Sequence, residues 1–178
     1  MKRCRWCNEK NPIYVRYHDE EWGVWNMDED YLFEMLLLES FQAGLSWECV
    51  LNKREAFRRA YDQFDLEKIC AYEDEKIKEL MNDQTIIRNR SKIMASIHNA
   101  QIFRQIQQEF GSFQAYLDQY TKGKQYHEID LAQNDLSDAL SKDLRKRGMK
   151  YMGSVTVYSF LQAVGIIVSH EKDCFLYR

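Results

Sequence analysis

The chain has 178 residues, of which 45% are hydrophobic and 30% charged, a balance that excludes disorder and supports one domain with a real core. No run approaches the ~18 apolar residues of a membrane span, and no apolar stretch follows the opening Met-Lys-Arg-Cys-Arg-Trp, so a cytoplasmic chain with five reduced cysteines is expected. The net charge of −3 argues against nucleic acid, yet Lys142–Lys150 sets Lys142, Arg145, Lys146, Arg147 and Lys150 against Asp143 alone, a local +4 able to hold a phosphate backbone.

One proline and seven glycines leave few breakers, so long helices are expected. Asp28–Asp30 offers acidic residues for a helix start, and Leu32, Leu36 and Glu39 then share one stripe up to a break at Gly44. Trp47, Val50, Leu51, Phe57 and Tyr61 mark the next helical face. Ile93, Ile97 and Ala100 belong to a long helix running toward Phe110-Gly111. Ser112 caps a helix bearing Phe113, Tyr116, Leu117 and Tyr120. The polar, glycine-containing segment 121–134 is expected to be the least ordered. Residues 139–154 read as helix, glycine-bounded hairpin, helix, the hairpin falling at about 145–154. Ser154 is the expected cap of the last helix, with Val157, Phe160, Leu161 and Val164 as its face and Gly165 as its stop. No alternating run suits a central strand, and no repeat or linker is visible. The fold class is all-α, with residues 1–178 as a single domain.

Four constellations carry chemistry. All four tryptophans (Trp6, Trp22, Trp25, Trp47) lie in the first 47 residues, with Tyr14, Tyr17, Tyr31, Phe33 and Phe41 among them. Such a cluster is either core or a stacking pocket for a flat ligand. Cys4 and His18 near one end, and His170 and Cys174 four apart near the other, form a zinc-like Cys₂His₂ set. Cys7 completes a Cys-x-x-Cys with Cys4 and competes for a place in it. Four protein ligands leave no open position for water, so a structural clip is favoured over a hydrolytic or deaminase zinc, although His18-Asp19-Glu20 has the His-x-Glu form. Glu39 places a carboxylate on an apolar stripe close to Trp47; it is either salt-bridged or an acceptor for an exocyclic amine on a cationic ring, with Trp47 stacked on that ring. At the hairpin, backbone N–H groups and the next helix N-terminus suit a phosphate, though Tyr151 stands where a glycine is usual.

Together these residues resemble the DNA-3-methyladenine glycosylase I family of bacterial alkylation-repair enzymes. The likeness is carried by Tyr17-His18-Asp19 through Glu21-Trp22-Gly23, by Leu38-Glu39 and Gln42-Ala43-Gly44-Leu45-Ser46-Trp47, by Arg88-Asn89-Arg90-Ser91-Lys92-Ile93, and by Lys146-Arg147-Gly148 and Tyr158-Ser159-Phe160. It spans nearly the whole chain. The resemblance implies a helix–hairpin–helix glycosylase fold with one structural zinc on Cys4, His18, His170 and Cys174, which clips residues 4–18 to residues 170–174. It implies Glu39 as the catalytic, base-recognising carboxylate, with Tyr17, Trp47 and Trp22 as base-binding aromatics. Arg147, Gly148, Lys150 and Gly153 are the expected DNA contacts. The expected reaction is hydrolytic release of 3-methyladenine from double-stranded, alkylated DNA by a monomer. With no lysine in the assigned pocket, no strand-cleavage step is expected. The contrasting reading is a non-catalytic, zinc-clipped DNA-binding module.

Overall fold

A computed structural model describes residues Met1–Arg178. Ten α-helices carry the chain: α1 Pro12–Glu20, α2 Glu29–Gln42, α3 Trp47–Asn52, α4 Arg54–Ala60, α5 Leu66–Cys70, α6 Asp74–Asn82, α7 Arg90–Phe110, α8 Phe113–Thr121, α9 Asp135–Lys146 and α10 Ser154–Ala163. The only strands are β1 (Tyr126–His127) and β2 (Ile167–Val168), two residues each and parallel, with Tyr126 opposite Ile167. The all-α expectation holds.

Local chemistry sets most boundaries. Asp28 caps α2 by accepting from the Tyr31 amide, and Glu29 and Asp30 fill its first turn. Ser112 caps α8 through the Ala115 amide, directly after Gly111 closes α7 in the left-handed region. Gly165 has φ +77, and a Cβ there would stand 2.2 Å from the carbonyl carbon of Val24. Only glycine lets the end of α10 approach residues 24–25 that closely.

Helix α2 is the axis of the main core. Every residue from Leu32 to Phe41 is buried, so the single apolar stripe expected for it gives way to a helix enclosed all round. α10, α7, α3 and α8 pack against it. The main core joins α2 to Phe57, Tyr61, Phe103, Phe113 and Phe160 among others. A smaller core gathers Cys4, Tyr14, Tyr17, Trp22, Leu51 and Cys174 and brings the two chain ends together.

Two local expectations need correction. The helix read from Trp47 to Tyr61 breaks at Lys53, whose amide bonds to Val50 and Leu51 carbonyls. The break turns Arg54 inward onto Glu34 and Glu21. Ser154 is not the cap of α10 but its first residue, because its hydroxyl is engaged by Asp138 and Ser137 of α9; Gly153 holds the cap position. Segment 121–134, expected to be the least ordered, is mostly irregular and exposed, and it is tied to the body where the Tyr126 and Glu128 amides donate to Ile166 and Val168.

Candidate active site

A cavity of about 250 Å³ opens between the two cores, lined by Trp6, Tyr14, Tyr17 and Trp22 from the N-terminal region, Glu39 and Gln42 from α2, and Trp47 from the start of α3. Ser159 and Gln162 of α10, Asp130 and Leu131, and Ser169 and Glu171 close the other side. The volume sits below the ~300–1,000 Å³ of pockets for drug-sized ligands and suits a single flat heterocycle. α2 positions Glu39 from within the core, while the turn through Gly44 redirects the chain so that Trp47 faces back across the pocket. The Tyr17 and Trp47 rings stand 5.4 Å apart, and Trp6 meets Trp22 edge-on at 4.8 Å.

Glu39 is buried, and its Oε2 has no hydrogen-bond partner. Burial pushes its carboxyl well above the ordinary value of 4.5. Tyr17 is also held well above a free phenol, by burial first and then by the nearby Glu39. The neighbouring carboxylate on the same helix behaves otherwise: Glu34 accepts from Arg54 at 2.6 Å and from Arg58 at 3.0 Å. The salt-bridge alternative for Glu39 therefore fails, since the arginines of this region go to Glu34 and Glu21.

Trp22 forms the wall between the pocket and a second group. Cys4, His18, His170 and Cys174 are all buried, and one ligand atom from each lies within 4.8 Å of every other. The sulfur of Cys174 is 3.6 Å from His18 Nε2 and 3.6 Å from His170 Nδ1, and the sulfur of Cys4 is 3.6 Å from His170 Nδ1. The outward ring nitrogens are both held: His18 Nδ1 meets Asp19 at 2.7 Å, and His170 Nε2 meets the Trp22 carbonyl at 3.2 Å. Arg3 donates to both oxygens of Asp19 and holds that carboxyl below its usual range. Amides of Glu171 and Leu176 point at the two sulfurs. Without a cation, burial pushes the Cys4 thiol up to about 12 and the His170 ring down to about 4. Such a set is able to hold a metal ion, with its outer contacts in place. Cys7 lies outside it, its sulfur directed at the Tyr14 carbonyl.

The hairpin joins α9 to α10. Gly148 has φ +104, and a Cβ there would press on His98 and Ile102 of α7. Tyr151 takes φ +56, so it occupies the left-handed turn where a glycine is usual. Gly153 has an ordinary φ and open space around it. Lys150 is exposed, as are Lys142, Arg145 and Lys146, and none has an ion-pair partner. Arg147, an expected DNA contact, is engaged within the protein. It pairs with Glu109 at 2.6 Å and Asp143 at 2.7 Å, and it lies over the Phe110 and Tyr116 rings. The pairing leaves the patch at +4, because Arg147 and Asp143 cancel.

The structure brings Tyr17, Trp22, Glu39 and Trp47 into one pocket and the four Cys and His residues into one group. Trp6 and Tyr14 enter the reading of the residues only as members of the N-terminal aromatic cluster, which is part core and part pocket. Gln42 and the wall formed by Asp130, Leu131, Ser159, Gln162, Ser169 and Glu171 have no chemical signal in that reading and join the pocket through packing.

Comparison with known proteins agrees with this architecture. The family model for methyladenine glycosylase matches residues 6–177. DNA-3-methyladenine glycosylase 1 of Escherichia coli strain K12 is 43% identical over 184 residues, covering 99% of this chain and 97% of that protein. A crystal structure of 3-methyladenine DNA glycosylase I superposes with a TM-score of 0.93 at 39% identity, covering 99% of this chain and 100% of that one. A crystal structure of a tyrosine-to-phenylalanine variant of 3-methyladenine DNA glycosylase I in complex with 3-methyladenine superposes with a TM-score of 0.92 at 37% identity, covering 98% and 97%. The chain belongs to the methyladenine glycosylase family.

Proposed function

We propose that the chain, acting as one domain over residues 1–178, excises 3-methyladenine from alkylated double-stranded DNA by hydrolysing the N-glycosidic bond and leaves an abasic site. One observation carries the reading. Only three buried side-chain polar atoms in the chain lack a partner, Glu39 Oε2, Trp47 Nε1 and Ser169 Oγ, and all three residues line the same aromatic cavity. Such unmet groups are costly in an empty fold and become favourable when a ligand supplies their partners. The relative whose complex contains 3-methyladenine supports the same ligand.

The chemistry follows from the charge of the substrate. N3-methylation makes the base cationic, so the electrons of the breaking bond neutralise it as it leaves, and the sugar carbon takes the oxygen of water while a proton is released. The damaged nucleotide turns out of the duplex into the pocket. Glu39 accepts from the exocyclic amine, and the cation draws its carboxyl toward the ionised form; Trp47 and Tyr17 frame the ring, with Trp22 beside them. Little acid–base work is demanded, and no lysine lines the cavity to form a covalent adduct with the sugar, so strand cleavage is not part of the reaction. Lys150, Gly148 and Gly153 hold the DNA backbone at the hairpin, with Arg147 reaching it only as a support of the turn.

One zinc on Cys4, His18, His170 and Cys174 clips the two chain ends. Tetrahedral bonds of about 2.3 Å to sulfur and 2.0–2.1 Å to nitrogen require S···N edges of about 3.5 Å, close to the 3.6 Å separations found. When bound, the ion supplies structure rather than reaction chemistry, holding Trp22 against the pocket. Incubation with N-methylated duplex DNA and chromatography of the released bases tests the reading. Release of 3-methyladenine with intact abasic strands is expected; binding without release returns the chain to a DNA-binding module.

A further inference from the structure

The motif Arg88–Ile93 has no role in the chemistry above. Its lysine, Lys92, is buried in the first turn of α7 and has no carboxylate partner. Its Nζ donates to the main-chain carbonyls of Phe41 at 2.8 Å and Ala43 at 2.5 Å, at the C-terminal end of α2. The other contact at that end is the Leu45 amide, which donates to the Gln42 carbonyl at 2.7 Å. Ala43 leaves helical geometry without a capping amide, no basic residue lies in the last turn of α2, and Gly44 follows at φ +78 with open space around it. A cation at a helix C-terminus meets its partial negative charge and its unpaired carbonyls together. The same segment carries Glu39 and Gln42 into the pocket and leads through residues 44–46 to Trp47, so Lys92 fixes the pocket mouth.

The other side of Lys92 faces the hairpin. Its ammonium lies 5.9 Å from the centroid of the Tyr151 ring, and the Tyr151 hydroxyl meets Ser91 Oγ at 2.8 Å. Further along α7, Asn99 accepts from the Lys150 amide and donates to the Lys150 carbonyl, both at 2.9 Å. One helix face therefore grips the hairpin backbone at residues 150–151 and the end of α2. A neutral side chain of similar length would fill the space but hold neither carbonyl. We infer that Lys92 is a positioning residue that ties the pocket mouth to the hairpin, so that DNA gripped at the hairpin presents its nucleotide at the correct distance and angle to the pocket.

This inference rests on the glycosylase reading and is tested against it. Lys92→Met removes the charge and keeps the length; Lys92→Arg keeps a charged donor. Three quantities are measured on each: affinity for free 3-methyladenine from tryptophan fluorescence, single-turnover release of the base from methylated duplex, and melting temperature. Free base needs only the pocket, whereas duplex needs pocket and hairpin in register. Lys92→Met is expected to change free-base affinity by less than about threefold and to slow release by about tenfold or more, since an ångström of misplacement costs up to about a hundredfold. Lys92→Arg is expected to recover most of the release rate. Unchanged release, or release and free-base affinity falling by the same factor, would overturn the inference. Should Lys92→Met not fold, Tyr151→Leu removes the ring facing the ammonium and the hydroxyl on Ser91; it is expected to show the same split, and wild-type release in that variant overturns it. Wild-type protein that releases no base overturns the glycosylase reading, and this inference with it.

Discussion

Glu34 and Glu39 lie five residues apart on the same buried helix, yet their surroundings are opposite. Glu34 meets Arg54 and Arg58, and Arg54 continues to Glu21, so its charge is matched within the protein. Glu39 has an aromatic cavity before it and no cation. Burial alone does not separate a structural carboxylate from a functional one; the missing partner does. The same contrast holds among the cations. Arg147 is matched by Glu109 and Asp143, while Lys150 on the same hairpin is unpaired and exposed.

The largest effect is expected at the clip that supports the Glu39 side alone. Removing zinc by chelation, or making Cys174→Ala, should release the chain ends and the Trp22 wall, because binding free energies of structural zinc reach about 10–16 kcal/mol in small peptides. Metal analysis of wild type should give one zinc per chain, and Cys7→Ala should leave both the metal content and the melt unchanged.

Next comes the matched carboxylate. Glu34→Gln removes one of the two carboxylates on buried Arg54 and leaves Glu21 as its remaining partner, so the loss is expected toward the lower end of the about 3–5 kcal/mol that breaking a buried pair costs. Denaturant unfolding should show that loss, and any fall in base release at low temperature should follow the fraction unfolded. A Glu34→Gln protein as stable as wild type would remove the structural half of the comparison.

Glu39→Gln should do the reverse. It keeps volume, removes the charge and turns one acceptor into a donor. Loss of a charged hydrogen bond is worth about 1.5–3 kcal/mol, or 10–150-fold, in base binding and excision. The melt should hold or rise, because no partner loses its charge. The pH dependence sharpens this. A carboxyl whose folded pKa is raised binds a proton in the folded state that the unfolded chain has released, so its contribution to stability falls as pH rises from 4.5 toward the folded value. Glu39→Gln lacks that fall, so the stability gap between variant and wild type should open above pH 4.5. A variant that excises normally but melts much earlier would make the two glutamates alike.

The smallest effect is on the hairpin. Lys150→Glu should weaken binding to any duplex and reduce the slope of log affinity against log salt by about one, with lesion preference unchanged. Arg147→Ala should lower the melt instead, by loosening α9 from α7 and α8, and leave the salt slope nearly as it was. Filter binding across a salt series separates the two.

The all-α class, the long helix ending at Gly111 and the caps at Asp28 and Ser112 follow from side chains acting within one or two turns, and local sequence suffices for such contacts. The Cys₂His₂ set was also legible, because four ligand-type residues in pairs at the two ends of the chain constrain one another. Cys7 stayed an open alternative until packing turned its sulfur toward the Tyr14 carbonyl. The expectation for Trp47–Tyr61 missed the break at Lys53, after which Arg54 pairs with a carboxylate twenty residues earlier on α2, a contact that residue spacing within one helix does not show. Ser154 looked like a cap because serine is a good one, and only the approach of Asp138 on α9 diverts its hydroxyl. Arg147 and Lys150 are equivalent in a charge count, and the neighbours that take one and leave the other come from α7 and α9. Glu39 is the clearest case. The sequence determined that a carboxylate would sit among apolar residues near a tryptophan. Only the tertiary structure decided that the arginines would go to Glu34 and Glu21 and leave Glu39 facing a cavity, because the pairing of a buried charge depends on which helices meet and not on the spacing of residues along one.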